Sequence, residues 1–181
     1  MSPPPPVWHT TRFRIDLGRP RLMGIVNTTP DSFSDGGRHG DAGGAIRHCE
    51  RLVAEGADVL DIGGESTRPG ADPAPADVEL APVMPVLRAA LGLGVPVSVD
   101  TCKPEVMRAA LDAGVDIVND VAALRQPGAL DAVAAHPDCG VCLMHMHGEP
   151  RTMQATVPAY GDVVGAVAAF LRDRAAAVRA A

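Results

Sequence analysis

Polar and apolar residues alternate from Val7 to Leu17 and stop at Gly18 and Pro20, which predicts a short hairpin behind a disordered tip carrying the proline run Pro3 to Pro6. From residue 22 the period changes. Apolar runs of four to six residues follow one another, each succeeded by a loop and an amphipathic segment. The runs predict strands at Leu22 to Asn27, Val59 to Gly63, Val95 to Asp100, Asp116 to Val121 and Val141 to His145. The amphipathic segments predict helices near Ala42 to Glu55, Asp77 to Leu91, Pro104 to Ala113, Ala129 to His136 and Tyr160 to Ala180. Two of the helices end alike, in Ala54-Glu55-Gly56-Ala57-Asp58 and Asp112-Ala113-Gly114-Val115-Asp116, with a glycine at the stop where the left-handed conformation is wanted. The order is five βα units, and the division expected is a tip and hairpin over 1–20 followed by one domain over 21–181.

Repeated βα units build a parallel sheet, which either stays open and doubly wound or closes into a barrel. Periodicity alone leaves both open. The polar residues favour the barrel: Asn27, Gly64 to Arg68, Asp100, Asn119 and His145 all fall at or just beyond a strand's C-terminal end, and in a barrel those ends converge on one face. An open sheet would gather them at a single switch point.

Composition agrees with buried parallel strands under Ala-rich helices. Hydrophobic residues make up 46% of the 181, yet there are one Trp, one Tyr and three Phe, so aliphatics fill the core and a second full domain does not fit. The net charge of -6, with basic residues scattered, supplies no footprint for a nucleic acid backbone. No stretch approaches the ~20 apolar residues of a membrane helix, and no secretory signal opens the chain, so a cytoplasmic protein is expected. Cys49, Cys102, Cys139 and Cys142 are too irregularly spaced for a disulfide framework. The C-x-x-C spacing of Cys139 and Cys142 runs into an apolar strand and reads as core filling. His145-Met146-His147 would put two imidazoles on one face of a strand, a spacing that can bind metal, but the preferred reading is that the pair holds none.

Buried strands that end in Asp or Asn need hydrogen-bond partners from protein or ligand. Asp100 in Val97-Ser98-Val99-Asp100-Thr101 and Asn119 in Ile117-Val118-Asn119-Asp120 end two strands this way and together could read a ligand with both donors and acceptors. Each alone could instead cap the loop that follows. Gly63-Gly64-Glu65-Ser66-Thr67-Arg68-Pro69-Gly70 combines close backbone approach, hydroxyls and a guanidinium fork, the groups that hold a phosphate. Asn27-Thr28-Thr29-Pro30-Asp31-Ser32-Phe33-Ser34-Asp35-Gly36-Gly37 is long for a βα connection and rich in oxygen ligands, suiting a loop that helps hold Mg²⁺ and covers a site.

These last two segments, from Met23 to Gly37 and from Asp61 to Gly70, resemble the two signature segments of the dihydropteroate synthase family. Ser98-Val99-Asp100-Thr101, Asn119-Asp120 and Leu143 to Gly148 fall where that family has its next three strand ends, so the resemblance covers nearly everything after residue 20. It implies a TIM-type (β/α)8 barrel, here with about five βα units and the last three strands missing. It also implies a transferase of folate biosynthesis, in which the amine of p-aminobenzoate attacks the methylene of 6-hydroxymethyl-7,8-dihydropterin diphosphate and pyrophosphate leaves. Under the resemblance Asp100 and Asn119 hydrogen-bond the pterin and Met144 packs on its ring. Asn27 binds Mg²⁺ and the diphosphate, Thr67 and Arg68 lie by the diphosphate, and Phe33 and Pro69 wall the p-aminobenzoate site. Arg68 and Asn27 are thus the expected catalytic residues.

The family's Asp-Pro-Gly, Ser-Arg-Lys and Arg-x-His segments do not occur in the 181 residues. A barrel of this kind takes about 250 residues, so the isolated chain is expected to be marginally stable and without turnover, with homodimers expected only where the rest is present. A non-catalytic remnant that completes its sheet with a partner is one alternative. A pterin-dependent methyltransferase is another, against which Ser66-Thr67-Arg68-Pro69 suits a diphosphate leaving group.

Overall fold

The computed structural model describes residues 5–28, 42–65, 74–146 and 160–181. The alternating N-terminal stretch pairs as an antiparallel hairpin of β1 (Val7–His9) and β2 (Arg14–Asp16). The apolar runs become five parallel strands, β3 (Met23–Asn27), β4 (Val59–Gly63), β5 (Val97–Asp100), β6 (Ile117–Asp120) and β7 (Gly140–Leu143), and they pair in sequence order. Helices α1 (Ala42–Ala54), α2 (Ala76–Ala90), α3 (Pro104–Asp112) and α4 (Ala129–Ala134) alternate with them, and α5 (Val163–Ala180) follows β7. Unbroken sequential order with no switch point is the arrangement of a barrel wall, so the sheet is an incomplete α/β barrel.

The two faces of the sheet differ as strand periodicity demands. Register aligns Val26, Ile62, Val99, Val118 and Val141 on one row, and all five pack with the helices in the main core. The alternate row aligns Asn27, Gly63, Asp100, Asn119 and Cys142 on the opposite, inner face. At the strands' N-terminal ends the inner face turns apolar. There Val59 and Ile117 meet Ile15, Trp8 and Phe13 of the hairpin, which plugs that end. Arg12, beside the plug, donates to both oxygens of the buried Asp116, whose Oδ2 also accepts from the Val97 backbone amide at 2.9 Å.

The helices are held by their buried stripes. In α2 that stripe is Glu79, Val83, Val86, Leu87 and Ala90, and it keeps the helix continuous although Pro82 and Pro85 remove two of its amide donors. The last helix begins at Val163 rather than at Tyr160, because the Asp162 carboxylate caps it by accepting from the Gly165 amide at 2.9 Å. β7 runs from Gly140 to Leu143, two residues short of the expected His145. A Cβ at Gly140 would lie 3.0 Å from both Ile117 and Trp8, so glycine lets the strand start against the plug. The expected tip at residues 1–4 lies outside the described residues.

Candidate active site at the carboxyl ends of the strands

Each strand delivers its last inner-facing residue to the same end of the sheet, and this makes the site. Asn27 closes β3 and is exposed, while Asp100 and Asn119 close β5 and β6 half-buried on the same row. Gly63 keeps room beside Asp100, because a Cβ there would stand 3.3 Å from the Asp100 Cβ and 3.5 Å from its Oδ2. Met144 follows β7 directly and leaves 38% of its surface open. Asn27, Asp100, Asn119 and Met144 are therefore brought together at one end as expected. Phe33, Thr67, Arg68 and Pro69 lie outside the described residues.

The row has a deeper member that sequence reasoning missed. Asp61, in the middle of β4, is 3% exposed, and its Oδ2 accepts from Asn119 Nδ2 at 2.9 Å. Asp61 Oδ1, Ser98 Oγ and Asp100 Oδ1 are all buried without a hydrogen bond of full geometry. Asp61 and Ser98 face each other across the register, which leaves Asp100 Oδ1 as the polar atom here with no protein partner, and leaving such an atom unpaired is costly. Burial raises the Asp61 carboxyl above its ordinary value, against the opposing pull of Ser98 and Asn119. Burial, reinforced by the charges of Asp61, Glu79, Asp120 and Glu65, pushes Asp100 up to about 7. Near neutral pH Asp100 can therefore either accept or donate. The sequence signal for Asp61 was a single acid inside the apolar run Val59-Leu60-Asp61-Ile62-Gly63.

A second missed cluster supports the rim. Lys103, just after β5, bonds Glu65 at the end of β4 and also Glu79 of α2, the latter at 2.5 Å. The other Glu65 oxygen accepts from the Ala74 amide at 2.8 Å, so one carboxylate ties Ala74 to Lys103. Desolvation lowers the Lys103 ammonium, but its bonds and charges with Glu65 and Glu79 win and raise it. The signal was Glu79, a charge standing on the buried stripe of α2.

The remaining His and Cys patterns lie on β7 and beside its ends. The two-imidazole reading needed a strand through His145, and none runs there: the His145 ring stacks edge-on against Phe170 at 5.0 Å, and His147 lies outside the described residues. Cys139 and Cys142 are free, and burial raises both thiols. Among the described residues no group of three or more His, Cys, Asp or Glu could hold a metal ion. Among them, too, no helix is long and apolar enough to cross a membrane.

A parallel barrel wall with polar, acidic residues at its carboxyl ends places the chain in the α/β barrel class, in which sites form at that end. Within that class the chain belongs to the pterin binding enzyme family, whose sequence model matches residues 23–181. It is 54% identical over 172 residues to the dihydropteroate synthase of Neisseria meningitidis serogroup B, an alignment covering 94% of this chain and 60% of that protein. The crystal structure of Burkholderia cenocepacia dihydropteroate synthase complexed with 7,8-dihydropteroate superposes with a TM-score of 0.84 at 52% identity, over 97% of this chain and 59% of that one. The Xanthomonas albilineans dihydropteroate synthase with 4-aminobenzoic acid gives 0.86 at 52% identity, over 97% and 62%. The chain spans about 60% of the length of the curated relatives it matches.

Proposed function

We propose that the chain belongs to a dihydropteroate synthase of folate biosynthesis, which joins 6-hydroxymethyl-7,8-dihydropterin diphosphate to p-aminobenzoate and releases pyrophosphate. The observation that carries this reading is the inner row on which Asp100 and Asn119 stand side by side, with Asn119 bonded to the buried Asp61 and Asp100 Oδ1 left without a protein hydrogen bond. A pterin edge alternates N–H donors with ring nitrogen and carbonyl acceptors, so carboxyl and carboxamide groups fixed on one row can satisfy it. Met144, open at the strand end, offers a polarisable face to the ring.

The reaction needs position more than covalent help: the amine must approach the methylene in line with the leaving diphosphate. Pterin hydrogen bonds to Asp100 and Asn119 hold the electrophile, and Thr67 and Arg68 are assigned to the diphosphate, with Phe33 and Pro69 against p-aminobenzoate. Mg²⁺ fits the donor chemistry, since it binds through one or two protein oxygens together with phosphate and water, and the exposed Asn27 carboxamide supplies one. When bound it would offset charge on the departing pyrophosphate. Homodimers and a cytoplasmic location complete the reading.

The test is fluorescence titration of the chain with the pterin diphosphate, with and without Mg²⁺. Saturable binding that weakens on chelation, and no longer responds to chelation in Asn27→Ala, supports the assignment. Absence of binding by the folded chain contradicts it.

A further inference from the structure

Asp61 is the least expected side chain in the site. All of β4 is buried, and an acid in its middle is costly unless it serves a partner. The partner is Asn119, two strands away, whose Nδ2 donates to Asp61 Oδ2. Ionised Asp61 only accepts, and the bonds from Ser98 and Asn119 favour that form against burial, so the amino end of the carboxamide turns toward Asp61. The oxygen end is then left for the site, together with one remaining N–H. A flipped carboxamide would set its oxygen against the Asp61 oxygens and lose the bond.

We propose that Asp61 is a positioning residue that locks the Asn119 carboxamide, so that a fixed acceptor beside a fixed donor faces the ligand and selects a heterocycle bearing an amino group next to a ring-nitrogen acceptor. The selection rests on the pterin reading, whereas the locking stands on the geometry alone. A heterocycle with a carbonyl in place of that amino group meets the Asn119 oxygen with its own and is rejected.

The experiment uses the full ¹⁵N-labelled chain as wild type, Asp61→Leu and Asp61→Asn, each first shown to unfold cooperatively. In the ligand-free wild type the Asn119 side-chain NH₂ signals, assigned by their loss in Asn119→Asp, should be dispersed and protected from exchange. Asp61→Leu, which keeps the bulk and removes the acceptor, should collapse them toward the position of an exposed carboxamide. Asp61→Asn, which retains an acceptor oxygen, should restore most of the dispersion. In the same samples 6-hydroxymethylpterin should bind the wild type roughly tenfold more tightly than 6-hydroxymethyllumazine, one hydrogen bond's worth of discrimination. Asp61→Leu should bring that ratio to about one. Unchanged Asn119 signals in Asp61→Leu, or an unchanged ratio, would overturn the proposal. Collapsed signals in a chain whose wild type binds neither heterocycle would sink the pterin reading and leave the locking in place.

Discussion

Asp120 and Arg174 hold the same turn, one through its amides and the other through its carbonyls. The Asp120 carboxylate accepts from the backbone amides of Ala122 and Leu124 at 2.7 and 2.6 Å, while the Arg174 guanidinium donates to the carbonyls of Ala123 and Leu124 at 2.8 and 3.0 Å. Between them Ala123 and Leu124 both sit at φ 55°, in the left-handed region that costs a non-glycine residue energy. This turn follows Asn119 directly, so α5 reaches the site through it.

Relieving that strain competes with two losses. Ala123→Gly removes about 1–2 kcal/mol of left-handed strain but gives up a fully buried methyl and adds about 0.5–1 kcal/mol of unfolded-chain entropy, so urea unfolding should stay within about 1 kcal/mol of wild type. Arg174→Ala should lose about 1–3 kcal/mol, because two hydrogen bonds from a charged donor disappear.

Gly64 is fixed by close approach. A Cβ there would fall 2.2 Å from Val83 Cγ2 and 3.0 Å from Glu79, both on α2. Gly64→Ala should therefore destabilise by roughly 1–3 kcal/mol, read as a lower urea midpoint at unchanged slope.

Lys103→Met should be among the most damaging single changes. It strands Glu79, whose side chain is fully buried, without its cation, and breaking a buried pair on one side costs about 3–5 kcal/mol. Lys103→Met with Glu79→Leu should recover much of the loss, which a double-mutant cycle measures.

Asp100 gives stability a pH dependence of known sign. Its folded value is raised from 3.8 to about 7, first by burial. Between those values the folded chain binds the proton and the unfolded chain has released it, so this group's contribution falls as pH rises from about 4 to about 7. Asp100→Asn, neutral throughout, should flatten that part of the curve. Urea midpoints measured across the interval for both proteins check it, and parallel curves would contradict it.

The element order was legible because buried parallel strands and amphipathic helices write different periods, while the choice of a barrel over an open sheet rested on the polar residues at the strand ends. Asn27, Asp100 and Asn119 were legible because a polar residue ending an apolar run stands out. Asp61 and Glu79 were visible as lone acids on buried faces but not as partners. The bond from Asp61 to Asn119 spans 58 residues and depends on sheet register, while the Lys103 cluster joins two loops and a helix. The hairpin was read correctly as a hairpin, yet its work as the plug beneath Val59 and Ile117 required the three-dimensional sheet. His145 misled because Leu143-Met144-His145 continues the apolar pattern past the point where pairing stops.

The central claim is that the inner row reads a pterin. Calorimetric titration of the folded chain with 6-hydroxymethyl-7,8-dihydropterin diphosphate and Mg²⁺, beside Asp100→Ala, tests it most directly. Saturable binding that disappears in Asp100→Ala is the predicted result. No heat of binding from a cooperatively folded wild type, or equal binding by both proteins, would contradict the account.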